Sequence, residues 1–344
     1  MARVLRVEST LHSYERACTL TPLPLQRLPL IRPRRLQPGD TVGLINPSGA
    51  IYERAPYELT HQALQALGFK VREAPNVRQR YGHMAGTPAQ RASDIHTLFA
   101  APDVAGVLAI TGGSGANRVL PLLDYGLLAR SPKFLGGFSD LTALINAVHI
   151  KTGLVTFHSP LGRSAWNAFS VAHFKALVMQ ALAPTLSNTR VTGDDLVPSE
   201  GGFSTVCSGR ASGPLLGGNL AVLTSLSGTP YMPDLRGAIL FLEDVNEYVY
   251  RVDRMLSTLM LSGALAGVAG VVLGGFTNCL PSEGSFGTLT LDEVFDDYFG
   301  PLGVPVYRGA QFGHVKHKFT LPLGVMAEID ADAGSIRLLE AAVA

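Results

Sequence analysis

From Leu36 onward the chain alternates short apolar runs with stretches whose apolar residues recur at helical spacing. Thr41–Ile45 reads as a strand that ends in the loop Asn46-Pro47-Ser48-Gly49. Ala55–Leu67 reads as a helix closed by Gly68, Lys70–Ala74 as a strand, and Pro88–Phe99 as a helix with proline in its first turn. The alternation continues with a strand at Val104–Ile110, a helix at Gly115–Leu123, a strand at Lys133–Phe138, a helix at Leu141–Ile150 and a strand at Leu154–His158. This order predicts an α/β fold whose N-terminal part is a flavodoxin- or Rossmann-like parallel sheet with helices on both faces. Ligands of such sheets sit outside the carboxyl ends of the strands, and the loops at Asn46, Gly112 and Ser139 all fall there.

Residues 184–212 break the pattern, being rich in Ser, Thr, Gly, Asp and Pro with weak periodicity. They read as a linker or irregular crossover between an N-terminal domain, 37–183, and a C-terminal domain, 213–344. In the second, smaller unit, Leu220–Leu226 reads as a short helix, Ala238–Leu242 as a strand, Tyr248–Leu261 as a helix and Val268–Phe276 as a strand. Leu291–Phe299 reads as a helix, followed by short strands near Val306, Phe319 and Ile336, so a mixed α/β domain is expected. Leu256–Leu280 carries no charge over 25 residues and contains Gly263-x-x-x-Gly267, which is long enough for a membrane span. Its content is instead that of a helix ending at Ser262-Gly263 and a β-branched, glycine-rich strand, so no membrane partner is expected.

Composition narrows the partners. The 344 residues are 47% hydrophobic and 16% charged with a formal net charge of +1, a soluble globular balance without global attraction to nucleic acid or anionic membrane. Cys18, Cys207 and Cys279 are far apart and form no C-x-x-C pair, which fits a reducing, cytoplasmic setting. Residues 1–39 differ from the rest, with seven Arg, two Glu and prolines at 22, 24, 29, 33 and 38. No unbroken apolar core of signal-peptide length follows the first arginines, and Glu8 and Glu15 disfavour an organelle-targeting peptide. Residues 1–36 are therefore expected to be a poorly ordered or mis-started extension.

Candidate chemistry begins at Gly136-Gly137-Phe138-Ser139-Asp140-Leu141-Thr142, where one serine stands between an apolar strand and a helix. At such a sharp turn the hydroxyl is exposed and the neighbouring N–H groups can stabilise an oxyanion, as at a nucleophile elbow, although Leu141 replaces the last glycine of G-x-S-x-G. A Gly-Ser turn that merely caps a helix is the alternative. The strand Gly237–Leu242 ends in Glu243 and Asp244, and a carboxylate there can orient an imidazole, while solvated strand-end charge is the commoner outcome. Gln311-Phe312-Gly313-His314-Val315-Lys316-His317 supplies such an imidazole; His314-x-x-His317 lacks a helix and a third ligand, so no metal is expected. The order Ser139, Glu243, His314 is the nucleophile, acid, base order of α/β-hydrolases. Thr111-Gly112-Gly113-Ser114-Gly115-Ala116-Asn117-Arg118 could approach a ligand closely, but Arg118 stands where a dinucleotide loop has its last glycine, so an oxyanion or carboxylate site is favoured over a nucleotide cofactor. Ser114 is a rival nucleophile, poorly held inside its glycine run.

Several motifs in sequence order resemble one family. They are Leu-Gln-Pro-Gly-Asp-Thr-Val-Gly (36–43), Asn-Pro-Ser-Gly (46–49), Gly-Gly-Ser-Gly-Ala-Asn-Arg (112–118), Gly-Phe-Ser-Asp-Leu-Thr-Ala-Leu (137–144), Gly-Gly-Asn-Leu (217–220), Leu-Glu-Asp-Val-Asn-Glu (242–247), Arg-Val-Asp-Arg-Met-Leu (251–256), Gly-His (313–314) and Leu-Pro-Leu-Gly (321–324). The chain is similar over about nine-tenths of its length to the LD-carboxypeptidase family of serine peptidases, which includes hydrolases of the microcin C immunity type. The resemblance implies a Ser-His-Glu triad of Ser139, His314 and Glu243, with oxyanion donors at the backbone amides of Gly113 and Asp140. It implies a homodimer without a cofactor, acting on small peptides such as the murein tetrapeptide. Arg118 and Asn219 are candidates for substrate contact, and Arg118, Arg163, Arg251 and Lys316 for holding a terminal carboxylate. Thr111, Ser114 and Leu216 depart from the carboxypeptidase branch, so the substrate stays open between murein tetrapeptides and aminoacyl or peptidyl nucleotides. A non-catalytic two-domain binding protein using the same crevice is the reading from another class.

Overall fold

The computed structural model describes residues 27–190, 192, 196–197, 200–282 and 287–344, so most of the expected N-terminal extension lies outside the described residues. The first half runs β1 (Thr41–Ile45), α1 (Ala55–Ala66), β2 (Lys70–Glu73), α2 (Pro88–Ala100), β3 (Val104–Ala109), α3 (Tyr125–Arg130), β4 (Phe134–Gly137), α4 (Leu141–Thr152), β5 (Phe157–His158) and α5 (Ala168–Phe174). The second runs β6 (Thr185–Ser187), β7 (Ser204–Cys207), β8 (Arg210–Asn219), α6 (Leu220–Thr224), β9 (Ile239–Val245), α7 (Val249–Leu261), β10 (Gly270–Thr277), α8 (Leu291–Phe299), β11 (Val306–Arg308), β12 (Leu321–Pro322), β13 (Met326–Asp330) and β14 (Ser335–Leu338).

The strands form a six-stranded sheet, β12-β5-β4-β3-β1-β2, and an eight-stranded sheet, β6-β14-β13-β8-β9-β10-β11-β7. Strands β1 to β5 pair in parallel, as the strand–helix alternation requires. β8 to β11 form the parallel centre of the second sheet, flanked by antiparallel edges. Every residue of β3 is buried, so this strand reads as an unbroken apolar run rather than an alternating one. Helix α2 starts where Thr87 Oγ1 accepts from the Gln90 amide and Gln90 Oε1 accepts from the Thr87 amide, with Pro88 in the first turn.

Helix α4 decides how the halves meet. Leu141 through Val148 are all buried, polar Thr142 and Asn146 included. Asn146 Nδ2 donates to Gly217 O at 2.9 Å, and the Asn219 amide donates to Thr142 Oγ1 at 2.9 Å. Both bonds tie the helix that starts just after Ser139 to the end of β8. The second join is β12, which leaves the C-terminal half to pair antiparallel with β5, Leu321 opposite His158.

Three expectations change. The 184–212 segment is not a plain linker, because it carries β6, β7 and the start of β8 in the second sheet. Its Ser- and Gly-rich composition hides edge strands whose pairing is supplied by distant partners. Residues 27–36 pack onto the domain instead of trailing from it: Ile31 N donates to Gly153 O at 2.8 Å, Val155 N to Ile31 O at 2.9 Å, and Leu36 is fully buried. The expected helix at Gly115–Leu123 is two short 3₁₀ turns, Ala116–Arg118 and Leu120–Leu122, because Pro121 has no N–H to carry a longer ladder. Leu256–Leu280, by contrast, divides as its content predicts into the end of α7, a turn and β10, and no helix among the described residues is long and apolar enough to cross a membrane.

Candidate active site

Strand β4 is buried throughout and delivers Phe138-Ser139-Asp140 to the carboxyl edge of the first sheet. Ser139 has φ +66°, the left-handed region that costs an L-residue about 1–2 kcal/mol. Its carbonyl accepts from the Thr142 amide at 2.9 Å, so the first turn of α4 holds this conformation. The result is a half-buried hydroxyl projecting from a strand-to-helix corner.

His314 Nε2 lies 3.1 Å from Ser139 Oγ, and His314 Nδ1 lies 2.7 Å from Glu243 Oε2. The His314 amide donates to the same carboxylate oxygen at 3.3 Å, while Thr277 Oγ1 donates to His314 O at 2.9 Å. The imidazole is thus fixed from side chain and backbone. With Glu243 accepting at Nδ1–H, the Nε2 lone pair faces the serine, the tautomer a general base needs. Glu243 is fully buried at the end of β9. Burial alone would raise its pKa, but the neighbouring imidazoles of His158 and His314 outweigh it and hold the carboxyl well below the usual carboxylate range.

The loop after β3 brings Gly112 against the serine: a Cβ there would lie 2.9 Å from both Ser139 Cβ and Oγ, and 3.7 Å from the Asp140 amide. Only glycine leaves the hydroxyl accessible. Neither the Gly113 nor the Asp140 amide donates to a protein acceptor among the described residues, so both are free for a ligand oxygen. The Asp140 side chain does something else. Its carboxylate accepts from the Ala116 amide at 2.8 Å and braces the glycine loop against α4. Burial pushes this carboxyl above its usual range despite that bond and the Arg91 cation. Arg91, buried in α2, ties the two flanking loops together by donating to Pro47 O and, at 2.8 Å, to Gly115 O.

A cavity of about 410 Å³ opens beside His314, lined also by Glu200, Gln311, Lys316 and His317. His317 Nδ1 lies 2.7 Å from Glu200 Oε2, so it pairs with a carboxylate at the cavity wall. Of the four cations named from sequence, Lys316 lines this cavity. Arg163 reaches Thr111 Oγ1 at 3.4 Å, Arg251 pairs with Glu247 at 3.5 Å, and exposed Arg118 lies against Met84. Asn219 is buried and its side chain is spent inside the protein: Nδ2 donates to Asp244 at 2.8 Å and Oδ1 caps α6 by accepting from Val222. Ser114 is exposed and makes no hydrogen bond among the described residues.

Pattern reading passed over His158, one of nine histidines with no motif around it. It ends β5, the strand beside β4, in register with Gly137, and its Nε2 lies 3.8 Å from Glu243 Oε1. The available signal was its position at the carboxyl end of the strand following the serine strand.

Residues 42–159 match the LD-carboxypeptidase N-terminal domain, and residues 212–329 match the LD-carboxypeptidase C-terminal domain. The chain belongs to the LD-carboxypeptidase family. Within that family it is 34% identical over 317 residues to the Bacillus subtilis protein named "Probable murein peptide carboxypeptidase", covering 91% of this chain and 95% of that one. It is 33% identical over 305 residues to the murein tetrapeptide carboxypeptidase of Pseudomonas aeruginosa, covering 86% and 95%. The microcin C7 self-immunity protein MccF of Escherichia coli is 29% identical over 327 residues, covering 88% and 94%. A solved structure of MccF in complex with aspartyl sulfamoyl adenosine superposes with a TM-score of 0.82 at 27% identity, covering 91% of this chain and all of that one. Both LD-carboxypeptidase domains are therefore present, and the two-domain α/β architecture is the family's.

Proposed function

We propose that this protein is a serine-type LD-carboxypeptidase that cleaves the amide between an L-configured centre and a terminal D-amino acid, as in the murein tetrapeptide, with D-Ala leaving. The observation that carries this reading is the continuous relay from Ser139 Oγ through His314 to Glu243, with links of 3.1 and 2.7 Å. His314 takes the Ser139 proton as Oγ attacks the carbonyl carbon, and the Gly113 and Asp140 amides receive the oxyanion. His314 then returns the proton to the departing amine, leaving an acyl-serine. Water repeats the sequence to release the shortened peptide. Glu243 stays ionised throughout, fixes the His314 tautomer and stabilises the imidazolium. Lys316, in the cavity beside His314, is the cation available for the free carboxylate that an exopeptidase must hold.

The kinship with MccF supports a second substrate class, the aminoacyl nucleotides. One experiment addresses both. Murein tri-, tetra- and pentapeptides and aminoacyl-nucleotide conjugates are incubated with the protein and with Ser139→Ala, and products are identified by mass spectrometry. Release of D-Ala from the tetrapeptide, abolished in the variant, is the expected result. Full hydrolysis by Ser139→Ala would end the serine mechanism, and cleavage of the conjugates alone would transfer the protein to the nucleotide branch.

A further inference from the structure

The relay leaves one atom unexplained. Glu243 Oε2 accepts from the side chain and the backbone of His314, but Oε1, on the same fully buried carboxylate, has no hydrogen-bond partner among the described residues. An ionised oxygen left bare in the interior is costly. His158 Nε2 faces it at 3.8 Å, and that nitrogen is itself buried and without a hydrogen-bond partner among the described residues. The gap is too short for a bridging water and about 1 Å longer than a charge-assisted hydrogen bond, a distance a small side-chain rotation closes.

The surroundings leave His158 few other tasks. It is 2% exposed, and its ring packs against Phe138, Phe241 and Phe312 at centroid distances of 5.6, 5.5 and 6.0 Å. An imidazole in an aromatic cage with one nitrogen turned to a carboxylate is an anchored donor. Its backbone is fixed from both sides, by Gly137 of β4 and by Leu321 of β12. The same residue therefore touches the serine strand, the C-terminal half and the acid.

We propose that His158 is a positioning residue for the hydrolytic relay: it donates Nε2–H to Glu243 Oε1 and so fixes the carboxylate plane with Oε2 aimed at His314 Nδ1. The bond can form with His158 neutral or protonated, because Nε2 carries hydrogen in the cation and in the required tautomer. Glu243 is then held between two imidazoles, and His158 opposes transfer of the His314 Nδ1 proton to the acid when His314 becomes imidazolium. The inference rests on the serine-hydrolase reading above and deepens it.

Its test is a double-mutant cycle on murein tetrapeptide hydrolysis, with His158→Leu, Glu243→Gln and their combination. In the otherwise unaltered enzyme His158→Leu should lower kcat about tenfold or more while KM stays within about twofold. In the Glu243→Gln background the same substitution should have little effect. His158→Gln, which returns an N–H donor near the Nε2 position, should restore most of kcat. An undiminished kcat in His158→Leu, or an equal loss in both backgrounds, would overturn the role and leave His158 a packing residue. Should His158→Leu fail to fold, ¹⁵N NMR of the unsubstituted protein still decides the matter: an Nε2 without a proton at the pH of activity refutes the donor. A failure of the serine reading is distinguishable, because Ser139→Ala would then hydrolyse normally whatever His158 does.

Discussion

Gly313 lies so close to Glu243 that a Cβ on it would come within 2.5 Å of Oε2 and 2.6 Å of the glutamate Cβ and Cγ. Its φ of +90° is also one that side chains rarely adopt. The residue before the imidazole must therefore be glycine for the imidazole to reach the acid. Gly313→Ala should displace His314 by a few tenths of an ångström to an ångström and lower kcat/KM on the murein tetrapeptide about a hundredfold. Steady-state kinetics beside a thermal unfolding curve would separate this from general loss of fold.

Gly112 meets the serine from the other side. Gly112→Ala would set a methyl 2.9 Å from Ser139 Oγ, over the approach to the Asp140 amide. Acylation should slow by about 10²–10³-fold, the scale of losing one oxyanion donor. The rate of Ser139 labelling by an acylating inhibitor measures this directly, and an unchanged rate would remove Gly112 from the account.

Arg91 is the brace behind the glycine loop. Arg91→Met keeps much of the apolar stem but leaves Pro47 O and Gly115 O without the guanidinium they share. Gly115 O keeps the Arg118 amide at 3.2 Å, whereas Pro47 O is left with no donor among the described residues, a loss of about 1–3 kcal/mol. A fall in Tm of several degrees, with a loss of kcat larger than the change in KM, is expected from calorimetry and kinetics together.

Asp244 stands next to Glu243 in sequence and behaves oppositely. Burial pushes its carboxyl up to about 6, against the pull of the Val245 and Ala221 amides and Asn219. A raised carboxyl binds more protons folded than unfolded, so its contribution to stability is present in acid and declines as pH rises from about 4 to about 6. Glu243, held low, works in the other direction: its contribution is present above the unfolded pKa and is lost as pH falls through the folded value. Asp244→Asn should therefore make stability rise more steeply with pH between 4 and 6, by at most ~1.4 kcal/mol per pH unit. Urea unfolding at several pH values reads the slope.

Much of the fold was legible in order of sequence. Thr41–Ile45 has the predicted bounds, and Tyr248–Leu261 and Leu291–Phe299 match the observed helices to within a residue. These segments carry their own signals, in apolar period, caps and closing glycines. Strand β8 was missed because Arg210–Asn219 is rich in glycine and polar residues and becomes a strand only through β9 and β13 on either side. Residues 27–36 were misjudged for a related reason: among prolines and arginines, Ile31 and Leu36 find their backbone partners at Gly153, Val155 and Val178, more than a hundred residues away.

The chemistry divides the same way. Ser139 at a strand-to-helix corner, Glu243 at a strand end and His314 after a glycine were visible as residue types in a particular order, because local backbone geometry dictates them. Sequence could not say that Asn219 is consumed by Asp244 and Val222, that Lys316 alone of the four named cations lines the cavity beside His314, or that His158 faces the bare oxygen of Glu243. Those facts depend on α4 joining the sheets and on β12 crossing to β5, contacts between segments remote along the chain. Periodicity encodes what a segment does with its own neighbours; which distant polar groups are left without a partner is set only when the whole chain has closed on itself.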